Sequence, residues 1–198
     1  MSEHEDRAFF EHMATCRDAY RRLGDCIAET FFPATWGVPD TSLCALDLGA
    51  GLGYVVGRMR EQGWKVEASD LHAPEDLREP GVFWCQRIDL SKEWGGVNLY
   101  PVVICTETAE HIPELHADAV VRNVACRATR YIVWSAAQPG QGWPGHVNLQ
   151  PPAYWLERFA RHGWAPDEAK TALLRRLMLE RHAQHEYCAS NFFVLSRG

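Results

Sequence analysis

From Glu5 to Phe32 the apolar residues Phe9, Phe10, Met13, Cys16, Tyr20, Leu23 and Ile27 recur every three or four positions. That is the period of a helix, and Gly24 is placed to break the run into two. Pro33, Gly37 and Pro39 then mark a loop. Beyond it strand and helix periods alternate. Leu43–Leu48 is an apolar run ending in Gly, Tyr54–Gln62 is amphipathic, and Trp64–Ser69 alternates like a strand and ends on Asp70. A polar segment around Pro74–Glu79 precedes a third strand candidate, Val82–Ile88. Pro101–Cys105 and Tyr131–Trp134 read as buried strands with a helical stretch, Ala117–Ala128, between them. This alternation predicts a parallel sheet with helices on both faces. Pro139–Pro152 is too rich in Gly and Pro for regular structure. Helices are expected over Ala153–His162 and Glu168–Gln184, and Asn191–Leu195 is expected as a closing strand.

Composition narrows the function classes. A chain of 198 residues is expected to form one domain, 1–198. The formal net charge of −6 and the absence of clustered Lys and Arg argue against a grip on duplex nucleic acid. The 7 cysteines include no C-x-x-C pair, so neither a zinc knuckle nor a redox motif is expected. Several lie in apolar runs, as reduced thiols do, and the N-terminus is acidic rather than signal-like. With no stretch of membrane-spanning length, a cytoplasmic, soluble protein is the expectation.

The chemistry begins at Asp47-Leu48-Gly49-Ala50-Gly51-Leu52-Gly53, which leaves an apolar strand and opens a helix. Glycines let the backbone turn and approach a ligand, and the helix start offers free N–H groups. The third glycine of the dinucleotide fingerprint is missing, since the next after Gly53 is Gly57. Asp47 suits a cationic amino-acid ligand better than a pyrophosphate, which makes a nicotinamide dehydrogenase the weaker reading. Asp70, at the end of the next strand, is placed to accept two ribose hydroxyls.

On these residues the chain, from about Leu43 to Leu195, resembles the class I methyltransferase family. The resemblance implies a Rossmann-like α/β fold: a seven-stranded, mostly parallel sheet with the last strand antiparallel and helices on both faces. It also implies S-adenosylmethionine as methyl donor and S-adenosylhomocysteine as product. By the same resemblance Asp47, Gly49, Ala50, Gly51 and Gly53 would meet the methionine part, Asp70 the ribose and Leu71 the adenine. Arg87-Ile88-Asp89-Leu90 is similar to a third motif, in which Asp89 or Leu90 reads the adenine amino group. Helices added before the core lid the site in resembling enzymes, so residues 1–40 are expected as a lid on a core of 41–198. One departure is Tyr100-Pro101-Val102-Val103, where the family commonly places an Asp; Pro is tolerated at a strand's first residue.

Cys105-Thr106-Glu107-Thr108-Ala109-Glu110-His111-Ile112-Pro113 leaves the fourth strand at the edge where α/β sheets bind ligands. Glu107, Glu110 and His111 are spaced to share one side of a helical turn. His146, in the loop after the fifth strand, should lie over the same edge. Three readings stay open. The stretch shapes the cofactor pocket, with Glu107 against the cofactor. Alternatively His146 or His111, with Glu107, serves the methyl acceptor as general base. Thirdly, Glu107, Glu110, His111 and His146 form an N/O set for a divalent metal; that set resembles the one in small-RNA 3′-terminal 2′-O-methyltransferases. The reading carried forward needs no metal and transfers a methyl group to an O or N atom of a small molecule. A metal-assisted RNA-terminus enzyme and a catalytically idle cofactor-binding module are the alternatives. Trp143 is expected to wall the acceptor pocket, Trp155 and Trp164 to pack in the core. Arg17, Arg21 and Arg22 are expected on a solvated helix face, and His182 and His185 at a helix end.

Overall fold

The computed structural model describes residues 3–31, 43–85, 87–183 and 186–197. The expected loop around Pro33, Gly37 and Pro39, and His185, lie outside them. Strands β1 (Cys44–Leu48), β2 (Lys65–Ser69), β3 (Phe83–Trp84), β4 (Tyr100–Thr106), β5 (Ala128–Ser135), β6 (Ala165–Pro166) and β7 (Phe193–Ser196) form one sheet in the order β3-β2-β1-β4-β5-β7-β6. β1 to β5 pair in parallel, and β7 runs antiparallel to both β5 and β6. The order reverses between β1 and β4, which opens a crevice at their C-terminal ends. The Gly49 turn and the Glu107 segment both leave the sheet there.

Helices cover both faces, as the alternation predicts. On one side α2 (Arg17–Phe31), α3 (Tyr54–Glu61) and α6 (Glu168–Glu180) bury Leu23, Ile27, Met59 and Leu174 against Val66 and Ile104. On the other, α4 (Ala117–Ala125) and α5 (Pro152–Ala160) bury Val120, Val124, Trp155 and Phe159 against Leu46, Val103 and Trp134. Trp155 and Trp164 are core residues, as expected.

Three expectations are corrected. The break in the N-terminal run falls at Cys16, between α1 (Glu3–Thr15) and α2, not at Gly24. Gly24 sits inside α2 because the helix crosses α3 there at close range: a Cβ at Gly24 would lie 2.8 Å from the Val55 carbonyl oxygen. Close packing outweighs the helix-breaking tendency of glycine. Pro101 is the second residue of β4 and sits where the register against β5 shifts between Tyr100 and Val102. A bulge accommodates its missing N–H. Nor are Arg17 and Arg21 an idle solvated face. The Arg17 guanidinium donates two hydrogen bonds to the Glu79 carboxylate, at 3.0 and 2.6 Å, and Arg21 adds a third at 2.8 Å. Glu79 is buried, so this clamp compensates a desolvated charge and ties α2 to the segment before β3. Among the described residues no helix is long and apolar enough to cross a membrane.

Candidate active site

The glycine turn is built against the end of β2. The amides of Gly49 and Ala50 donate to the Ser69 carbonyl at 2.8 and 3.0 Å, and the Gly51 amide donates to Asp70 Oδ2 at 2.9 Å. Gly49 and Gly51 have φ of 78° and 57°. A side chain at Gly49 would start 2.3 Å from Thr108 Oγ1, and one at Gly51 would start 2.7 Å from Met13 Sδ. The turn is therefore fitted between the Thr108 segment and α1. Gly53 backs onto Trp84 instead, 3.0 Å from where its Cβ would be.

Two adjoining lobes open over this turn, of about 380 and 400 Å³. Gly49, Gly51, Glu107 and His111 line both. The first lobe adds Asp70, Leu71, Ile88, Asp89 and Leu90, which sequence reasoning joined into one half-site. Asp70 Oδ1 accepts from the amides of His72 and Ala73, both at 2.9 Å, while Oδ2, among the described residues, accepts from Gly51. A carboxylate has about four lone-pair sites, so Asp70 keeps room for a ligand hydroxyl. Burial raises its pKa, and the three backbone amides pull it back. Asp89 Oδ1 takes the Ser91 hydroxyl at 2.6 Å, and Lys92 and Ser91 hold its pKa down at about 2.

The second lobe is lined by Asp47, Ala50, Glu107, Glu110, His111 and His146. Asp47 is 3% exposed; burial first, and the charge of Asp70 second, push its pKa up to about 8. Glu107 leaves β4 with φ 48°, the left-handed region that non-glycine residues enter at a cost. Its amide bridges to the carbonyl and hydroxyl of Ser135 at 3.0 and 3.1 Å. The expected helical turn is thereby delayed to a 3₁₀ turn over Ala109–His111. Glu110 is fully buried, and neither carboxyl oxygen has a hydrogen bond of good geometry among the described residues. Burial and the neighbouring Glu107 raise its pKa well above the carboxylate range, and burial raises Glu107 as well.

The loop after β5 docks on this segment: the amides of Val147 and Asn148 donate to the Glu110 carbonyl at 2.8 and 3.1 Å. That brings His146 against His111, with ring centroids 4.9 Å apart. His146 Nδ1 meets the Gln141 carbonyl at 2.9 Å and His111 Nδ1 meets the Gly145 carbonyl at 3.2 Å. A carbonyl only accepts, so both Nδ1 atoms carry hydrogen and both Nε2 atoms keep a lone pair. Burial lowers both pKa values, His111 to about 4 with help from His146, so both rings are neutral near pH 7.

Helix α1 lies across the mouth. Phe9 packs on His111 with ring centroids 5.6 Å apart, and His12 stacks on the half-exposed Trp143 at 5.8 Å. Sequence reasoning missed several contributors. Met13 and Phe9 were read only as helix periodicity. Asn191, assigned to the closing strand, instead ends the 3₁₀ turn Glu186–Asn191, is 1% exposed and donates to Glu107 Oε1 at 3.3 Å. A polar residue heading an apolar run is the signal that could have marked it, since a buried amide requires partners.

No protein-family model matches the chain, and no curated protein matches it in sequence. Solved structures do match. A TehB-like S-adenosylmethionine-dependent methyltransferase from Corynebacterium glutamicum aligns over 100% of both chains, with a TM-score of 0.65 and 16% identity. DesVI from Streptomyces venezuelae also aligns over 100% of both, with a TM-score of 0.64 and 14% identity. The magnesium protoporphyrin IX methyltransferase of Synechocystis PCC 6803, with S-adenosylhomocysteine bound, covers 91% of this chain and 84% of its own, at a TM-score of 0.59 and 17% identity. The strand order, the antiparallel β7 and these alignments agree: the chain has the Rossmann-like fold of the class I methyltransferases.

Proposed function

We propose that the chain is an S-adenosylmethionine-dependent methyltransferase acting on an O or N atom of a small-molecule acceptor. The observation that carries this is the two-lobed cleft on one glycine turn, with Asp70 and Asp89 in one lobe and Asp47 beside Glu107 and two neutral histidines in the other. S-adenosylmethionine supplies an electrophilic methyl group on a sulfonium. Asp70 offers Oδ2 to ribose hydroxyls, Leu71 covers the adenine, and Asp89 or the Leu90 backbone reads its amino group. Asp47 and the Gly49–Gly51 backbone receive the cationic amino-acid end. His146 takes the acceptor's proton at Nε2, where its tautomer leaves the lone pair; His111 stands beside it, and Glu107 orients the neighbouring groups. Positioning supplies much of the rate for an in-line displacement. Four carboxyl residues, Asp18, Asp47, Glu107 and Glu110, line the second lobe against one guanidinium, Arg22. Burial holds Asp47 and Glu110 protonated near pH 7, and a single guanidinium is a poor grip for the phosphates of an RNA end, which supports a small-molecule acceptor. Titration calorimetry with S-adenosylmethionine and S-adenosylhomocysteine tests the reading, and binding of neither ends it. Binding with no transfer to any hydroxyl or amine acceptor would leave the idle module.

A second reading rests on a specific observation: ligand-capable atoms of Glu110, His111 and His146 all lie within 4.8 Å of one another. A buried carboxyl that gives up its proton on binding, and imidazoles with Nδ1 already engaged, suit a divalent cation, and backbone carbonyls supply the supporting hydrogen bonds. Glu107 is not part of this group, so the four-residue set reduces to three. A metal there would act as a Lewis acid on the acceptor oxygen. Manganese titration followed by electron paramagnetic resonance, repeated with Glu110→Gln, decides it; an unattenuated signal of free manganese in both proteins removes the metal.

A further inference from the structure

Asn191 joins the two halves of the second lobe, a role that follows from the hydrogen-bond valences of one buried carboxamide. Its Oδ1 accepts from Gln138 Nε2 at 2.9 Å, and its Nδ2 donates to Gln141 Oε1 at 3.0 Å and to Glu107 Oε1 at 3.3 Å. Both amide hydrogens and one oxygen lone pair are thus in use. The orientation is the one that fits, because the side facing Gln141 and Glu107 meets two oxygen acceptors and the opposite side meets a donor. Gln141 Oε1 also accepts the Gln138 amide at 2.7 Å, and the Gln141 amide returns to the Gln138 carbonyl at 3.0 Å. These bonds close residues 138–141 into a small ring whose carbonyl at Gln141 holds His146 Nδ1.

We infer that Asn191 is a positioning residue: it fixes the Glu107 carboxyl on one side and, through Gln141, the His146 tautomer on the other. Its hydrogen bonds go to Gln138, Gln141 and Glu107, and it is not among the residues lining the two lobes. Its reach explains how a residue beside β7 acts on groups contributed by β4 and the loop after β5. It also helps hold Glu107 in its left-handed conformation, which needs surroundings that over-determine it. The inference rests on the proposed role of His146 as proton acceptor, but its geometry does not depend on which ligand enters the cleft.

The discriminating substitution is Asn191→Asp. It keeps size and shape but turns two donors into acceptors facing Gln141 Oε1 and the Glu107 carboxyl, so both links break together. The readout is the ¹⁵N spectrum of imidazole-labelled full-length protein near neutral pH, which separates the Nδ1–H from the Nε2–H tautomer. Wild type should show His146 as a single Nδ1–H species; Asn191→Asp should show a mixture, with faster amide exchange at Gln138. Gln141→Leu, which removes the side-chain acceptor from a half-buried loop position and retains the backbone carbonyl, should give the same mixture. It keeps the test decisive if Asn191→Asp fails to fold. Retention of the wild-type tautomer in a folded variant overturns the inference. Calorimetry of the wild type with S-adenosylhomocysteine runs alongside: failure to bind ends the methyltransferase reading and leaves the tautomer result standing.

Discussion

Asp47 shows most directly what a single side chain contributes here. Its folded pKa of about 8 lies above the ordinary 3.8, so the ligand-free protein holds a proton that the unfolded chain has lost. The unfolded state binds fewer protons through that window, and stability therefore falls as pH rises from about 4 to 8. Asn is neutral at every pH. Asp47→Asn should match wild type in thermal unfolding near pH 4 and exceed it at pH 8, by an amount on the order of a few kcal/mol at most. A flat wild-type profile would contradict this. Loss of this carboxyl should weaken ligand binding in the variant. A cationic ligand favours the ionised form, so wild type should release up to one proton on binding S-adenosylmethionine near pH 7. Calorimetry in two buffers of different ionisation enthalpy measures that proton, and Asp47→Asn should lose both it and about tenfold or more in affinity.

At the level of helices and strands, close approach decides what local pattern does not. A side chain at Gly24 would meet a backbone oxygen that cannot move independently of α3. Gly24→Val gains little helix propensity and should lose about 1–3 kcal/mol to overpacking. Urea unfolding would show this as a lower midpoint with the slope unchanged. The same contact explains why glycine there misleads a reader of the sequence: the break belongs to Cys16, whose period looks unbroken. Strands with several apolar residues, β1, β2, β4 and β5, announce themselves. β3, expected over Val82–Ile88, is the two residues Phe83–Trp84, and β6, Ala165–Pro166, is too short to carry a period to read. The lobe containing Asp70 and Asp89 follows from local motifs next to strands. By contrast, the convergence of Asn191, Gln141 and Glu107 spans 50 and 84 positions, and no local pattern encodes a contact of that length.

For the molecule as a whole, ligand binding and stability are one equilibrium. At one hundred times the dissociation constant a ligand that binds only the folded state adds about 2.7 kcal/mol. For a chain of this size that should raise the thermal midpoint by roughly 5–10 °C with S-adenosylhomocysteine. No shift at saturating ligand would count against the cleft as a cofactor site. Any such ligand must also pass α1, which rests on Gly51 through Met13 and on His111 through Phe9. Among the described residues the charged contribution to its seat is Arg7 against Asp76 at 3.0 Å, a pair 47% and 62% exposed, of the sort worth at most about 1 kcal/mol and screened by salt. As far as its described residues show, a helix seated by a few apolar side chains and a screened pair is cheap to lift. Its opening should then be fast, on the microsecond-to-millisecond scale, and let spent product leave readily. In stopped-flow displacement of S-adenosylhomocysteine, Met13→Ala should hasten release while 0.5 M salt alters it little, so the apolar seat, more than the charge, sets the tempo of exchange.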